Sequence, residues 1–300
     1  MKTFNESERI CQASFLNAGP FWFASSPGKD TPMLFTSNDD FTFVMNVIAQ
    51  IAYLFPNLKI VAFVVMNNHF HFVIQCDNEW EIRAFFSAVK KRLQRLFPQI
   101  KSLELDIRPI TDLNSLRNRI AYTHRNGYVA HPECTPFNYR WGTGRYYFND
   151  YPVQDSLGAI TVRQKRTMFK GRDPQLPDGW NIVEGHIDPR SYCPVRFGTA
   201  LFRDAHHYMS LLTKNMEAWA DLAGELGDKE FLTDPEIFAQ LRKIIQEQYG
   251  VASSKELTKL QRLDLARALR YDFHSSNGQI RRVLGLTRYE VDSLFPLGKK

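Results

Sequence analysis

The chain has 300 residues, 44% of them hydrophobic and 23% charged, a composition that excludes a fibrous or disordered protein and is typical of a soluble globular one. Its net charge of +6 and pI near 9.1 are compatible with a nucleic-acid partner but do not indicate one by themselves. The four cysteines form no Cys-x-x-Cys pair, which argues against a zinc ribbon and a disulfide framework. This length favours two domains over one.

The amino-terminal residues do not resemble a secretion signal, because Met1 to Ile10 is polar and contains Glu6 and Glu8. The longest apolar run, Ile60 to Met66, is far shorter than the roughly 20 residues that cross a bilayer. We therefore predict a cytoplasmic protein with no membrane partner, and we assign the apolar run to a buried strand.

The first predicted elements alternate between strand and helix periods. A strand is predicted near Phe21 to Ala24. A helix capped by Asp39 or Asp40 follows, with an apolar stripe at spacings of three and four residues up to Leu54. The next strand is predicted over Lys59 to Met66.

A hairpin and two more helices complete the first half of the chain. Asn67-Asn68 predicts a turn, and the aromatic and branched residues of Phe70 to Ile74 predict the returning strand. Asn78, with Glu81 as its capping-box partner, is predicted to open the next helix, and a third helix spans about Asp112 to Asn126. This order predicts an α+β sandwich with helices on one face of an antiparallel sheet, within a first domain of residues 1–150.

Residues 151–197 contain clusters of Gly, Pro and Asp and lack a regular period, so we interpret them as an irregular linker. Residues 198–300 are predicted to form an all-α domain. Its helical segments are Thr199 to Leu212, Asp234 to Tyr249, Lys255 to Asp272, Asn277 to Leu284 and Thr287 to Leu294.

His69 and His71 stand two residues apart around the returning strand of the hairpin. Because side chains alternate along a strand, both imidazoles point to one face, while Phe70 and Phe72 point to the other. Two imidazole nitrogens on one face can bind a divalent transition metal and leave positions open for a third ligand and a phosphate oxygen. A pair of edge histidines on a wet sheet face is the alternative.

On the third predicted helix, Tyr122 and Asn126 lie one turn apart and roughly opposite the apolar stripe of Leu113, Leu116 and Ile120. We therefore expect Tyr122 not to bury the helix but to present its phenol, together with the Asn126 amide, to one site. A surface tyrosine beside a polar amide is the alternative.

Two segments resemble the REP-associated and related single-tyrosine transposases of the HUH superfamily. Val64 to Ile74 is similar to that family's branched aliphatic run, Met-Pro-Asn and His-hydrophobe-His, with Asn67 in the place of the proline. Arg119 to Asn126 is similar to its Tyr-Ile-His-x-Asn segment, and Pro136 to Gly142 resembles the aromatic end of its domain. The resemblance covers about Phe21 to Phe148 and implies a ferredoxin-like catalytic domain.

The resemblance also implies roles for individual residues. His69, His71 and Asn126 would hold a divalent ion, Mg²⁺ or Mn²⁺, and Tyr122 would be the nucleophile. Tyr128 is a rival nucleophile, but it follows a glycine at which we expect the helix to end.

The implied reaction transfers single-stranded or hairpin DNA through a 5′-phosphotyrosine. A phenol with an ordinary pKa of about 10 is a poor nucleophile at neutral pH, so the site must help the phosphate to accept it. A metal would polarise a phosphoryl oxygen and orient the leaving 3′-hydroxyl. Because the tyrosine ester keeps the energy of the phosphodiester, rejoining needs no ATP, which agrees with the lack of a Walker-type loop in the sequence.

Several basic residues are candidates for DNA contacts. On the second predicted helix, Lys90, Lys91 and Arg95 either follow a phosphate backbone or form an ordinary solvated helix face. Two further candidates are Arg119, on the third helix, and Arg140, in an aromatic-rich stretch.

The carboxyl end has the spacing of a helix-turn-helix. Gln279 to Val291 reads as an apolar helix, a glycine turn, Thr287 as a cap and a second helix. The second helix would offer Arg288 and Tyr289 to duplex or hairpin DNA. Helix pairs of this kind also serve purely as packing units.

Three hypotheses for function follow. The first is a metal-dependent HUH single-tyrosine transposase. The second is a domesticated DNA-binding regulator that kept the fold and lost turnover, and the third is a metal-dependent phosphodiesterase in which water attacks. The sequence does not indicate the target DNA, or whether the protein is a monomer or a homodimer.

Overall fold

The computed structural model describes residues 2–27, 31–130, 137–171, 173–212, 234–271, 275 and 277–295. The chain divides into two compact units, Met1–Leu212 and Thr213–Lys300. The first unit therefore continues well beyond residue 150, where we had predicted the first domain to end.

The described elements comprise seven strands, eleven α-helices and five short 3-10 helices. The strands are β1 Phe21–Ser25, β2 Lys59–Val65, β3 Phe70–Gln75, β4 Asp106–Ile110, β5 Asp155–Ser156, β6 Asn181–Val183 and β7 His186–Ile187. The helices of the first unit are α1 Lys2–Ala18, α2 Asn38–Tyr53, α3 Glu79–Leu93, α4 Leu113–Ala130, α5 Val162–Met168, α6 Val195–Ala200 and α7 Ala205–Leu212. Those of the second unit are α8 Asp234–Tyr249, α9 Lys259–Tyr271, α10 Asn277–Leu284 and α11 Arg288–Leu294.

Strands β1 to β4 form one antiparallel sheet in the spatial order β2-β3-β1-β4. The central pair is β1 with β3, in a register that sets Ser25 opposite His71. β4 pairs with the other edge of β1, and β2 with the other edge of β3. Residues 141–143 run along the outer edge of β2, where the Thr143 N–H donates to the Phe63 carbonyl at 3.0 Å. The predicted α+β class and antiparallel sheet are confirmed.

Helices cover both faces of this sheet, not one face as we had predicted. On one side the ring of Phe72 lies 5.9 Å from that of Phe85 in α3. Because side chains alternate along a strand, His71 points to the other side, where its ring lies 5.5 Å from that of Tyr122 in α4. β2 is buried along both faces from Ile60 onward, so a helix on only one side would leave apolar side chains in water.

Most predicted helix boundaries are close to those observed, but the predicted helix Thr199 to Leu212 is divided between α6 and α7, and two caps differ. α2 is capped by Ser37, not by Asp39 or Asp40, because the Ser37 hydroxyl accepts from the backbone N–H of Asp40. Asn78 stands at the N-cap of α3 without a side-chain bond to that helix. Thr287 caps α11 as predicted.

Residues 151–197 are folded into the first unit and do not form the irregular linker that we had predicted. β5, β6 and β7 make a small antiparallel sheet. Leu157, Phe169 and Ile187 form a small core with Ala49 of α2. The buried Asn46 side chain of α2 accepts from the Ile187 N–H at 2.9 Å, which ties this segment to α2.

α4 continues through Gly127 to Ala130, whereas we had predicted that it ends at Gly127. Glycine is needed there for packing, because a Cβ would lie 2.3 Å from Cδ1 of Tyr139. Every residue from Ile120 to Gly127 is buried, so this part of α4 is an internal helix. The side chain of the rival nucleophile Tyr128 lies outside the described residues.

The second unit is helical in its described part, as predicted. Between α10 and α11, Gly285 has a φ of 63°, and the Leu286 N–H donates to the Arg281 carbonyl at 3.1 Å. A positive φ followed by such a bond is a common helix C-cap, and it turns the chain into the next helix. Among the described helices, none combines the length and the apolarity needed to cross a lipid bilayer.

We predict that Gly142→Ala destabilises the first unit by about 1–3 kcal/mol. A Cβ at position 142 would lie 2.4 Å from the Phe63 carbonyl oxygen and would push residues 141–143 off the edge of β2. Chemical denaturation measures the change. Gly179→Ala is the matched control, since a Cβ there meets nothing within 4 Å. Equal stabilities of the two variants would contradict the close approach.

Candidate functional site

His69 and His71 meet at the start of β3. Their Nε2 atoms are 3.0 Å apart, and their rings are nearly perpendicular, with an interplanar angle of 89°. Both side chains are fully buried. The spacing of two residues therefore brings the imidazoles together as expected, and the alternative of edge histidines on a wet face does not apply.

Tyr122 reaches the histidine pair from α4. Its ring centroid lies 5.5 Å from that of His71, edge to face, and 6.2 Å from that of Phe23 in β1. The side chain is only 5% exposed, so Tyr122 does help to bury α4, contrary to our expectation from the helical pattern. The ring of Tyr122 thus lies beside one imidazole of the histidine pair, that of His71, in a site that is closed to solvent.

Asn126 is buried one turn after Tyr122, which places it on the same side of α4. Its Nδ2 donates to the Tyr122 carbonyl oxygen at 3.0 Å. This bond uses the amide nitrogen within the helix, so Oδ1 is the atom of the side chain that has the chemistry of a metal ligand.

The turn before β3 is fastened to the segment that precedes α2. The Asn67 carbonyl accepts from the Phe35 N–H at 2.9 Å, and the Asn67 Nδ2 donates to the Phe35 carbonyl at 3.3 Å. The Asn68 side chain bonds the Thr31 carbonyl at 3.0 Å and the His69 Nδ1 at 2.7 Å. A proline at position 67 could not donate the side-chain bond to the Phe35 carbonyl. Asparagine therefore stabilises the turn at that position.

The spacing of the two imidazoles fits a shared divalent ion. Two nitrogens that are each about 2.1 Å from one ion, at a right angle, are about 3.0 Å apart, which matches the Nε2 separation. Within the described ranges, no group of three or more His, Cys, Asp or Glu side chains could hold a metal, so a third protein ligand would have to be an amide such as Asn126. Imidazole ligands suit transition metals better than Mg²⁺.

His124 fixes α4 from another side. Its Nδ1 lies 2.8 Å from the Tyr208 hydroxyl of α7, and its Nε2 lies 2.8 Å from Oγ1 of Thr143. Burial lowers the pKa of His124 to about 3, so the ring stays neutral, with one nitrogen that donates and one that accepts. These bonds hold α4 in register with the sheet edge and so keep Tyr122 against His71.

The cations predicted on α3 serve mainly to hold the fold. Lys90 donates to the Leu103 carbonyl at 2.5 Å, and Arg95 donates to the Lys170 carbonyl at 2.9 Å. Lys91 is exposed. Since α3 covers the face of the sheet opposite the histidine pair, this group does not adjoin the site.

Arg140 is bound to a carboxylate and stacks on an aromatic ring. Its Nε lies 2.6 Å from Glu184, and its guanidinium lies 4.8 Å from the Trp141 ring centroid. Burial would raise the pKa of Glu184, but hydrogen bonds from Arg145 and Tyr151 outweigh it and lower that pKa to about 2. Arg140 is therefore paired with a firmly ionised carboxylate.

Arg119 lies beside the site. Its guanidinium carbon is 5.3 Å from the centroid of the Phe23 ring, which in turn is 5.8 Å from that of His71. The side chain is half-buried on the helix that carries Tyr122, one turn earlier. A guanidinium in this position could bind an anionic group that enters the site.

In the second unit, Arg288 and Tyr289 are exposed on α11, with 80% of the arginine side chain and 82% of the tyrosine accessible. The Arg288 Nε donates to Asp292 at 3.3 Å across one helical turn. Such exposure is what a DNA-contacting helix needs, and an ordinary surface helix shares it.

Three residues at the site were not assigned a role from the sequence: Phe23, Asn68 and His124. The strand that contains Phe23 was predicted, but its sequence does not indicate that the Phe23 ring lies against His71. Asn68 was interpreted only as a turn residue, although an amide next to a histidine was a usable signal. His124 lies inside the segment with the family resemblance, which was the signal available for it.

No protein-family model, curated protein or solved structure matches the chain. The family resemblance therefore depends on the two sequence segments quoted above. The function has to be inferred from the chemistry of the site.

We predict that the free energy of unfolding falls as the pH drops from 7.5 to 5, by about 2 kcal/mol for each of two histidines. Burial lowers the pKa of His124 to about 3 and that of His186 to about 4, both from 6.5. The unfolded chain therefore takes up protons in this window while the folded chain does not. Urea denaturation at the two pH values measures the difference.

His124→Gln should remove about half of this pH dependence, because glutamine can bond but does not titrate. His206→Gln is the matched control, since His206 is an exposed histidine on α7. A wild-type slope in His124→Gln would be inconsistent with a neutral buried imidazole.

Proposed function

We propose that the protein cuts and rejoins single-stranded or hairpin DNA through a 5′-phosphotyrosine, as the single-tyrosine HUH transposases that it resembles do. The observation that carries the proposal is the 5.5 Å approach of the Tyr122 ring to His71, whose Nε2 lies 3.0 Å from that of His69. The phenol and the imidazoles come from different elements, so folding alone brings them together. A surface tyrosine would have no such neighbours.

The arrangement of the first unit supports the assignment to the HUH class. The chain order β1-α2-β2-β3-α3-β4 and the sheet order β2-β3-β1-β4 agree with a ferredoxin-like fold. α4 then carries the proposed nucleophile across the remaining face. Residues 1–150 would supply the catalytic parts, and the later elements of the first unit would hold them in place.

In the proposed step, the Tyr122 hydroxyl gives up its proton and its oxygen attacks the phosphorus. The new oxygen–phosphorus bond forms as the bond to the 3′ oxygen breaks, and the departing oxygen takes up a proton. His69, His71 and Asn126 would hold a divalent ion, Mg²⁺ or Mn²⁺ in the family resembled. When bound, such an ion polarises a phosphoryl oxygen and stabilises the leaving oxygen.

This reaction requires the site to open. Tyr122 is 5% exposed and both histidines are buried, so a phosphodiester cannot reach the phenol in the described conformation. Side chains around Tyr122 therefore have to move when DNA binds. Arg119, half-buried against Phe23, is the neighbouring cation that would attract the phosphate.

A metal-dependent phosphodiesterase is the second candidate. It too requires the site to open, because the two histidines that would hold the ion are buried, but water and not the Tyr122 phenol would attack the phosphorus. In that case the tyrosine would only position the substrate, and no covalent intermediate would form.

The helix pair α10–α11 supports the second part of the proposal, a helix-turn-helix that contacts duplex or hairpin DNA. The glycine at φ 63° between the helices and the exposed Arg288 and Tyr289 agree with that use. A monomer and a homodimer are both compatible with this arrangement.

We predict that incubation with single-stranded or hairpin DNA and Mn²⁺ gives a protein–DNA adduct that survives denaturation. Tyr122→Phe should reduce the adduct about a thousandfold or more, because it removes the oxygen that would bond phosphorus. His69→Gln and His71→Gln should make the remaining reaction independent of Mn²⁺. Gel electrophoresis with labelled oligonucleotides measures the adduct.

Tyr53→Phe is the matched control, since Tyr53 is a half-exposed phenol at the end of α2. An adduct that persists in Tyr122→Phe would shift the role of nucleophile to another residue, with Tyr128→Phe as the next variant. Cleavage without an adduct would support the phosphodiesterase, and DNA binding without cleavage would support a regulator.

We predict that Arg288→Ala with Tyr289→Ala weakens binding to hairpin DNA by about 1–3 kcal/mol and lowers its salt dependence. Both side chains are exposed to solvent on α11. Fluorescence anisotropy at several salt concentrations measures the effect. Arg267→Ala on α9, an exposed arginine outside the helix pair, should bind as wild type does.

A further inference from the structure

We propose that Asn68 is a positioning residue that keeps the His69 imidazole in one tautomer, with the proton on Nδ1 and the lone pair of Nε2 directed at His71. The inference concerns the histidine pair itself and deepens the proposed function, because the same lone pair would face a bound ion. A chain of hydrogen bonds runs from the backbone carbonyl of Thr31 through the Asn68 amide to the His69 ring.

The Thr31 carbonyl fixes which way the Asn68 amide points. The amide nitrogen of Asn68 lies 3.0 Å from this oxygen, and a carbonyl oxygen can only accept. The NH₂ group of Asn68 must therefore face Thr31. The amide oxygen is left for the other side of the turn, where it lies 2.7 Å from Nδ1 of His69.

The Asn68 oxygen in turn decides the tautomer of His69. An amide oxygen accepts and never donates, so a hydrogen bond of 2.7 Å requires the proton to be on the His69 Nδ1. A neutral ring with its proton on Nδ1 carries a lone pair on Nε2. That lone pair is aimed at the Nε2 of His71, 3.0 Å away.

The tautomer of His71 follows from that of His69. Two lone pairs 3.0 Å apart would repel, so in the ion-free protein the proton between the rings belongs to the Nε2 of His71. The pair is then ordered along one direction, from Thr31 through Asn68 and His69 to His71.

The backbone makes the arrangement rigid. The Asn67 carbonyl accepts two N–H bonds, from Leu34 at 2.8 Å and from Phe35 at 2.9 Å, and the Met66 N–H donates to the His69 carbonyl at 2.9 Å. Asn68 therefore sits in a turn that is bonded on both sides. Removal of a residue that orients a metal-binding histidine typically lowers ion affinity about 10- to 100-fold, and we expect an effect of this size for Asn68.

Long-range ¹H–¹⁵N correlation of the imidazoles in the full, ion-free chain tests the inference directly. The expected result is a single tautomer for each ring at neutral pH, with the proton on Nδ1 in His69 and on Nε2 in His71. His69→Gln assigns the signals. A wild-type His69 with its proton on Nε2 overturns the proposal whatever the variants do.

Asn68→Ala should give a mixture of His69 tautomers and bind Mn²⁺ about 10- to 100-fold more weakly. Asn68→Asp keeps an acceptor beside Nδ1 and should keep a proton on that nitrogen. Asn67→Ala is the matched control, because it removes the neighbouring side-chain bond to Phe35 and leaves Asn68 intact. An unchanged tautomer in Asn68→Ala, or the same change in Asn67→Ala, would contradict the role assigned to Asn68.

These measurements need neither DNA nor turnover, so the two proposals fail separately. The expected tautomers without a tyrosine adduct would leave the role of Asn68 standing and remove strand transfer. An adduct together with the opposite tautomer would do the reverse.

Discussion

The contact between the Nε2 atoms of His69 and His71, 3.0 Å long and shielded from solvent, sets the conditions that the rest of the first unit has to meet. Two imidazolium ions cannot lie this close in a site without water, because like charges at such a distance repel strongly. The pair must therefore share one proton or one cation, and both rings must be held still. The turn at Asn67-Asn68, bonded to the segment before α2, provides that on one side. Residues 141–143, which run along β2, provide it on the other.

The second condition is that α4 keeps its place, since Tyr122 belongs to a different layer from the histidines. Gly127 lets α4 approach Tyr139 closely, and His124 bonds residues on two neighbouring segments. Arg117 is buried in the same helix and donates to Glu8 of α1 at 2.7 Å. A buried guanidinium without that carboxylate would be costly, so the bond fixes both the position of α1 and that of α4. α1, α7 and Tyr139 thus support the site through their contacts with α4.

Local patterns predicted the parts of the fold that they encode directly. The hairpin of β2 and β3 is encoded within a few residues, by branched and aromatic residues in the strands and two asparagines in the turn. The predicted helices each have an apolar stripe at spacings of three and four residues. Strands such as β5 and β7, with two residues each, have no period to detect, so the sequence of residues 151–197 predicts a linker. Tyr122 was placed on the exposed side for a related reason. An apolar stripe identifies the buried face of a helix only where the opposite face is exposed to water. α4 is buried on all sides from Ile120 to Gly127. Thr31, which accepts from Asn68, and the two partners of His124 lie 19 to 84 residues away along the chain, so no local pattern contains them.

The sequence shows which residues are cationic but not which of them are bonded within the fold. This difference affects how the proposed enzyme would bind DNA. Several cations of the first unit bond to groups of the chain itself: Lys90, Arg92 and Arg95 to backbone carbonyls, and Arg140 and Arg145 to Glu184. Each bond stabilises the fold, and each occupies donors that a phosphate would otherwise use. Affinity for DNA comes mainly from cations that face solvent and displace counterions. In the proposed function, affinity would therefore come from exposed residues such as Lys91 and Arg288, while Arg119 would act on the one phosphate that reacts. The net charge of the whole chain, +6, is thus a poor guide to how many cations the first unit exposes to a DNA backbone.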